Sequence, residues 1–172
     1  MDWSLSRSRG VKEFEELYRA SRDDVYAYVA TLLRDRFAAE DVTALAFERA
    51  YRKRGSFRPG RGSPRAWLFG IARNAALDEM RHRTRTTEIG AEPVDEDAVP
   101  FEDEAEAGAR RLAVRAGLES LHPRERELVA LKFFAGLSNA ELAAVLGTSE
   151  TNAGTRVHRA IHKLREACHE TA

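Results

Sequence analysis

A single cysteine, Cys168, stands in the 172-residue chain, so neither an internal disulfide nor a multi-cysteine zinc site can form, and a reducing compartment suits it. No apolar run approaches the roughly 20 residues that span a bilayer. The start, Met1-Asp2-Trp3-Ser4, lacks the charged and apolar regions of a secretory signal. The expectation is a cytoplasmic protein without membrane insertion. Strand signals are nearly absent: no alternation is sustained and β-branched clusters are few, whereas apolar residues recur at helical spacing throughout. The expected class is all-α. Net charge is also lacking, with 28 basic residues against 28 acidic ones.

That neutrality hides a strong asymmetry. Residues 1–85 carry a net charge of +6, residues 86–109 carry −9, and residues 110–172 carry +3. The expected organisation is two small helical domains, 1–85 and 110–172, joined by an acidic flexible linker, 86–109. The linker holds Pro93, Pro100 and the run Glu102, Asp103, Glu104 and Glu106, a composition that buries little apolar surface. It can act as a solubilising segment or thread a basic channel that otherwise accepts nucleic acid. Residues 49–85 carry 11 basic side chains against Asp78 and Glu79, interleaved with Tyr51, Phe57, Trp67 and Phe69. Cations among flat rings suit single-stranded nucleic acid. An Arg-rich solvated helix face whose aromatics belong to the core fits the same composition.

Phe14, Leu17 and Tyr18 mark a first amphipathic helix. Ser21 with Asp24 resembles a capping box opening a second, through Val25, Val29, Leu32 and Leu33. A third helix is expected over about 38–54. The glycine- and proline-rich stretch 55–62 reads as loop, and Ser63-Pro64 as N-cap and first turn of a helix reaching about Arg83. Its apolar side is Trp67, Leu68, Ile71, Ala72 and Ala75, with Asn74, Asp78 and Arg81 projecting elsewhere.

In the second half a helix over about 105–120 is followed by His122-Pro123, opening another that ends near Gly136. Ser138 with Glu141 is a capping box for a short helix to Leu146. Gly147 suits a left-handed terminus, and Ser149 an N-cap for the final helix. This is the pattern of a helix-turn-helix, with Val157, Ile161 and Leu164 facing inward. Exposed early turns offer Thr151, Asn152, Thr155, Arg156 and Arg159, which suit base edges and phosphates. An ordinary helical hairpin with a polar surface is the alternative.

Enzyme signals are weak. Asp23-Asp24 and Glu40-Asp41 are adjacent carboxylates that point apart on a helix, and Gly60-Arg61-Gly62 lacks the Lys-Ser/Thr of a phosphate loop. His158 and His162, with Cys168 or His169 nearby, have metal-compatible spacing, but solvated or DNA-facing histidines are the preferred reading. No catalytic residue, metal or cofactor is expected.

Three blocks in the first half and three in the second resemble the bacterial sigma-70 superfamily, specifically its small extracytoplasmic-function (ECF) group. In the first half these are Phe14-Glu15-Glu16-Leu17-Tyr18, then Ala39-Glu40-Asp41-Val42 with Phe47, then Phe57–Ser63 running into Trp67–Asn74. In the second they are Leu121–Arg126, Gly136–Ala143 and Arg156–Ala160. The halves are similar to sigma regions 2 and 4. The resemblance implies a non-enzymatic subunit that binds core RNA polymerase, recognises minus-10 and minus-35 promoter elements and promotes melting. It implies minus-10 contacts from Phe57, Arg58, Arg61, Arg65, Arg73, Asn74, Asp78 and Arg81, since capturing a flipped base offsets its unpairing. Minus-35 duplex contacts follow for Ser149, Thr151, Asn152, Thr155, Arg156 and Arg159, and polymerase contacts for Asp41, Ala44, Leu45 and Phe47. An anti-sigma factor, common in the family, is a further candidate partner, and the linker resembles the segment that passes near the polymerase cleft.

Departures stand at Ala44 and Leu45, where the family usually has a polar pair, and at Gly70, where many relatives carry arginine. Gly154 replaces a commonly basic residue; glycine within a helix costs roughly 1 kcal/mol, so a weaker promoter grip or a close backbone approach to DNA is expected. The competing readings are a stand-alone helix-turn-helix regulator, which leaves the Phe57–Asn74 block unexplained, an enzyme, and a pure interaction module.

Overall fold

The computed structural model describes the backbone of residues 3–87 and 105–170 and the side chains of 10–86 and 112–169. Among the described residues the structure is all helix and turn. The first lobe holds α1 (Trp3–Leu33), α2 (Arg36–Lys53) and α3 (Pro64–Thr87); the second holds α4 (Ala105–Ser120), α5 (Pro123–Ala130), α6 (Asn139–Leu146) and α7 (Glu150–Glu170). Most of the expected acidic linker, residues 88–104, lies outside the described residues; its two ends extend α3 and open α4.

The expected break at Ser21 is absent: α1 is continuous. No glycine or proline interrupts 11–33, and Ser21 is buried, its hydroxyl accepting a hydrogen bond from Arg65 of α3. Helix α1 ends instead at Arg34, which takes the left-handed conformation (φ 53°) while its N–H reaches Ala30 O. Asp35 then caps α2 by accepting from Ala38 N–H at 3.0 Å, which starts that helix earlier than the apolar pattern implied. The stretch 55–62 holds two short tight turns rather than a helix, and Ser63 caps α3, its hydroxyl accepting from Ala66 N–H as expected.

Edge-on ring pairs join the first lobe: Phe14 to Tyr51 and Tyr18 to Phe47 between α1 and α2, and Tyr28 to Phe69 between α1 and α3. Phe69 is fully buried, so this ring belongs to the core. In the second lobe His122 and Glu125 form a reciprocal cap on α5. Helix α5 then widens into a π-type turn over Leu131–Ala135 that closes on Gly136 in the left-handed conformation. The Ser138–Glu141 capping box, left-handed Gly147 and the Ser149 cap of α7 all form as the sequence implied. Buried residues of both lobes belong to one contiguous apolar cluster, and α1 and α3 pack directly on α5, α6 and the π-type turn.

Two glycines set close crossings. A Cβ on Gly117 would lie 2.9 Å from Leu164 Cδ1 and 3.0 Å from Cys168 Sγ, so α4 and α7 meet through it. A Cβ on Gly154 would lie 3.0 Å from Asn139 Nδ2; the close approach at this position is therefore to the start of α6. Gly117→Val should destabilise the second lobe by about 1–3 kcal/mol through overpacking. A thermal melt followed by circular dichroism checks this, and an unchanged midpoint would contradict the tight crossing.

Candidate nucleic-acid interface

The turns between α2 and α3 form the most cation-rich edge of the first lobe. Arg58 and Arg61 are exposed and meet no acidic side chain among the described residues. Beside them opens a cavity of about 440 Å³ lined by Phe57, Trp67, Gly70, Ile71 and Asn74. Phe57 and Trp67, with centroids 5.7 Å apart, also line a larger cavity of about 880 Å³ against α1. Asn74 is exposed at the rim, a position from which its carboxamide can both donate and accept. Gly70 leaves open space where a side chain would stand. The smaller cavity thus joins flat apolar walls to unpaired guanidinium groups, the combination that accepts an unstacked base and its phosphate.

The other candidates in this group are engaged. Asp78 pairs with Arg49 and Arg81, both at exposed sites. Arg65 is half-buried and nearly saturated: it donates to Asp24 (2.6 Å), to Phe134 O (2.7 Å) and to Ala135 O (2.5 Å). Arg73 donates through Nε to Glu127 of α5 at 2.5 Å, and the Glu127 side chain is only 11% exposed. The Tyr28 hydroxyl reaches the same Glu127 oxygen at 3.4 Å. Burial pushes that hydroxyl well above its ordinary pKa, so Tyr28 stays a neutral donor.

Contacts from the second lobe reach the cavity itself. Ser63 donates to Glu141 of α6 at 2.5 Å, and Ala144 and Val145 of α6 form the cavity's far wall. Glu127, Glu141 and the carbonyls of the π-type turn were not foreseen as site residues. One signal was present for Glu127, a lone carboxylate heading the apolar run Leu128–Leu131; carbonyl oxygens carry no sequence signal.

At the opposite end, Thr151, Asn152, Thr155 and Arg159 are exposed along one side of α7, with Arg156 half-buried. Asn152 is oriented by donating to Thr148 Oγ1 at 2.9 Å, while Ser149 is used as the cap. Arg156 and Arg159 meet no acidic side chain among the described residues. On α2, Asp41 and Ala44 are exposed and Leu45 half-buried, but Phe47 is buried under Tyr18 and serves packing between α1 and α2.

A two-lobed helical protein with a capped helix-turn-helix and a cationic, aromatic-walled cavity has the features of a DNA-binding protein. Comparison with known proteins narrows the class. Residues 17–86 match the family model for Sigma-70 region 2, and residues 111–164 match that for Sigma-70, region 4. The chain is 36% identical over 155 residues to the RNA polymerase sigma factor CarQ of Myxococcus xanthus, covering 89% of this chain and 87% of that protein. It is 34% identical over 161 residues to the ECF RNA polymerase sigma factor SigE of Mycolicibacterium smegmatis, of which it spans 60%. Among solved structures it is similar to the sigma factor RpoE in complex with the anti-sigma factor NepR from Bartonella quintana. That match has a TM-score of 0.70 at 25% identity and covers 91% of this chain and 96% of that one. CnrH in complex with the cytosolic domain of CnrY shares the fold, with a TM-score of 0.67 at 24% identity over 94% of this chain and 90% of that one. The chain belongs to the sigma-70 family as an ECF-type RNA polymerase sigma factor, a non-enzymatic factor for transcription initiation. Among the described residues no helix is long and apolar enough to cross a membrane.

The electrostatics of the lobe contact imply a pH dependence. The Ser63 hydroxyl, and then the Ser138 backbone N–H, hold the Glu141 carboxyl below its ordinary pKa. A depressed folded-state value adds stability above the unfolded pKa, and that contribution is lost as pH falls through the folded value. Glu125, lowered first by its hydrogen bond from Lys163, acts in the same direction. The melting temperature should therefore fall as pH drops through and below the ordinary carboxylate range. Glu141→Gln should cost about 1 kcal/mol at neutral pH through the weakened cap and should shrink the acid dependence. An acid limb of unchanged size in the variant would refute the assignment.

Proposed function

We propose that the two lobes divide promoter recognition between them. The observation that carries this reading is the 440 Å³ cavity beside Arg58 and Arg61, with flat walls and no acidic partner for either cation. In this reading the cavity takes a flipped base of the melted minus-10 element. Phe57 packs on the base, Asn74 bonds its edge, and Arg58 and Arg61 hold the flanking phosphates. Arg81, positioned by Asp78, extends the phosphate track along α3, whereas Arg65 and Arg73 are engaged across the lobe contact and reach phosphate only if those contacts are given up. Capture of an extruded base couples binding to strand opening.

Helix α7 is the reader of the duplex minus-35 element. Ser149 starts it, Thr151, Asn152 and Thr155 face the major groove, and Arg156 and Arg159 meet phosphates or guanine edges. The exposed face of α2, with Asp41, Ala44 and Leu45 supported from beneath by Phe47, is the surface for core RNA polymerase. Ala44 and Leu45 make that contact apolar. An anti-sigma factor is a candidate partner because RpoE is similar in fold and was solved with one. The site of action in this reading is the cytoplasm.

In vitro transcription with bacterial core polymerase on a pool of genomic fragments tests the assignment. Discrete, protein-dependent start sites with shared upstream elements are expected. Asn74→Ala should reduce open-complex formation about tenfold, corresponding to roughly 1.4 kcal/mol, with duplex binding changed far less. Arg156→Ala should weaken duplex binding and lower its salt slope by about 1 if it meets a phosphate. Equal loss of both steps in Asn74→Ala would overturn its role in capturing a base.

A further inference from the structure

We infer that the cavity on the α1 side of Phe57 and Trp67 is a binding site of its own, suited to an aromatic organic cation rather than to DNA. This site is separate from the promoter cavity and does not rest on how that cavity is read. Its volume of about 880 Å³ lies within the range of small-molecule sites, which are mostly apolar with a few convergent polar groups.

Phe14, Leu17, Phe57 and Trp67 are each half-buried, so four large apolar side chains share this one opening. A flat guest that covers them removes apolar surface from water. Trp67 also supplies the ring type that attracts a cation most strongly. The charges around the opening set the sign of the guest. Glu13 and Glu16 of α1 are exposed on its lining, and neither meets a cation among the described residues. Of the two arginines on the same lining, Arg52 is paired with Glu48 at 2.6 Å. Arg54 is turned onto Tyr51, donating to its carbonyl at 2.6 Å and stacking on its ring at 4.0 Å. With Glu48 answering Arg52, carboxylates outnumber guanidinium groups around this opening, which favours a cation and opposes a phosphate backbone. The smaller cavity has the opposite character, since Arg58 and Arg61 line it. Two cavities that share the Phe57 and Trp67 wall thus call for guests of opposite charge.

The test is an NMR titration of the full chain with naphthylmethylammonium, and with naphthylacetate as an anion carrying the same ring. Leu17 lines the larger cavity alone and Asn74 the smaller one alone, so their side-chain signals tell the two apart. The ammonium probe is expected to shift the Leu17 methyl signals saturably, to leave the Asn74 carboxamide nearly unmoved, and to bind about tenfold more tightly than the carboxylate. Glu13→Gln combined with Glu16→Gln should erase that preference. Ala20→Trp places an indole at an exposed position on the lining and should abolish binding of both probes at unchanged helix content by circular dichroism. The inference is overturned by the absence of a saturable shift at millimolar probe, by a shift of Asn74 in place of Leu17, or by equal affinity for the two probes. A preference for the cation that survives loss of both carboxylates overturns it as well, as does undiminished binding in a folded Ala20→Trp. Should Ala20→Trp lose helix content, the Leu17 and Asn74 shifts of the unaltered chain locate the site by themselves.

Discussion

A carboxylate and two guanidinium groups taken partly out of water hold the two halves of this molecule in one arrangement. Glu127 enters from α5 and is met by Arg73 from α3 and Tyr28 from α1, while Arg65 closes on the carbonyls at the end of the π-type turn. Ion pairs of this kind add little net stability, because desolvation offsets most of their attraction. Removing one partner is costly, because it strands the other. Their effect is on registry. The contiguous apolar cluster shared by the lobes supplies the burial, and the charged contacts select which faces meet. Arg34 and Glu119, at 3.6 Å and more exposed, add a weaker contact of the same sense.

This constraint reaches the candidate DNA surface because the same helix serves both. Helix α3 buries Leu68, Phe69, Ala72, Ala75 and Ala76 in the core, leaving its remaining positions to present Arg65, Arg73 and Asn74. Arg65 and Arg73 point toward the second lobe, while Asn74 stays at the cavity rim with Arg58 and Arg61 nearby. The helix-turn-helix is set by different means, with caps at Ser138 and Ser149, left-handed Gly147, and glycines 117 and 154 where neighbouring groups come within 3.0 Å of a would-be Cβ. Helix α7 packs on α4, α5 and α6, within the second lobe.

Much of the fold was legible because its signals are short-range. A serine three residues before a glutamate, a proline at the first turn and a glycine past the last one each act through a hydrogen bond or dihedral within a few residues. Those features placed α3, α5, α6 and α7, while the family was legible through the resemblance of ordered motif blocks such as Phe57–Asn74 and Gly136–Ala143. The error at Ser21 has the same origin: the local pattern of a cap was present, but the hydroxyl is taken by Arg65, 44 residues away in the chain. Phe69 was ambiguous for a similar reason, since only the ring of Tyr28 decides that it is core.

The sequence by itself determined the helical class, the helix-turn-helix, the two-lobed sigma architecture and a set of arginines suited to phosphate. The class, the helix-turn-helix and the arginines follow from periodicity, caps and composition, which are properties of neighbouring residues, and the sigma architecture is what the resemblance of the ordered motif blocks implied. Tertiary structure alone decided which arginines are available: Arg58 and Arg61 stand without an acidic partner among the described residues, while Arg65 and Arg73 are satisfied across the lobe contact. A guanidinium has the same charge in every case. Whether it meets water, DNA or a carboxylate depends on what the fold brings within three ångströms of it, and for Arg73 that partner is 54 residues away in the chain.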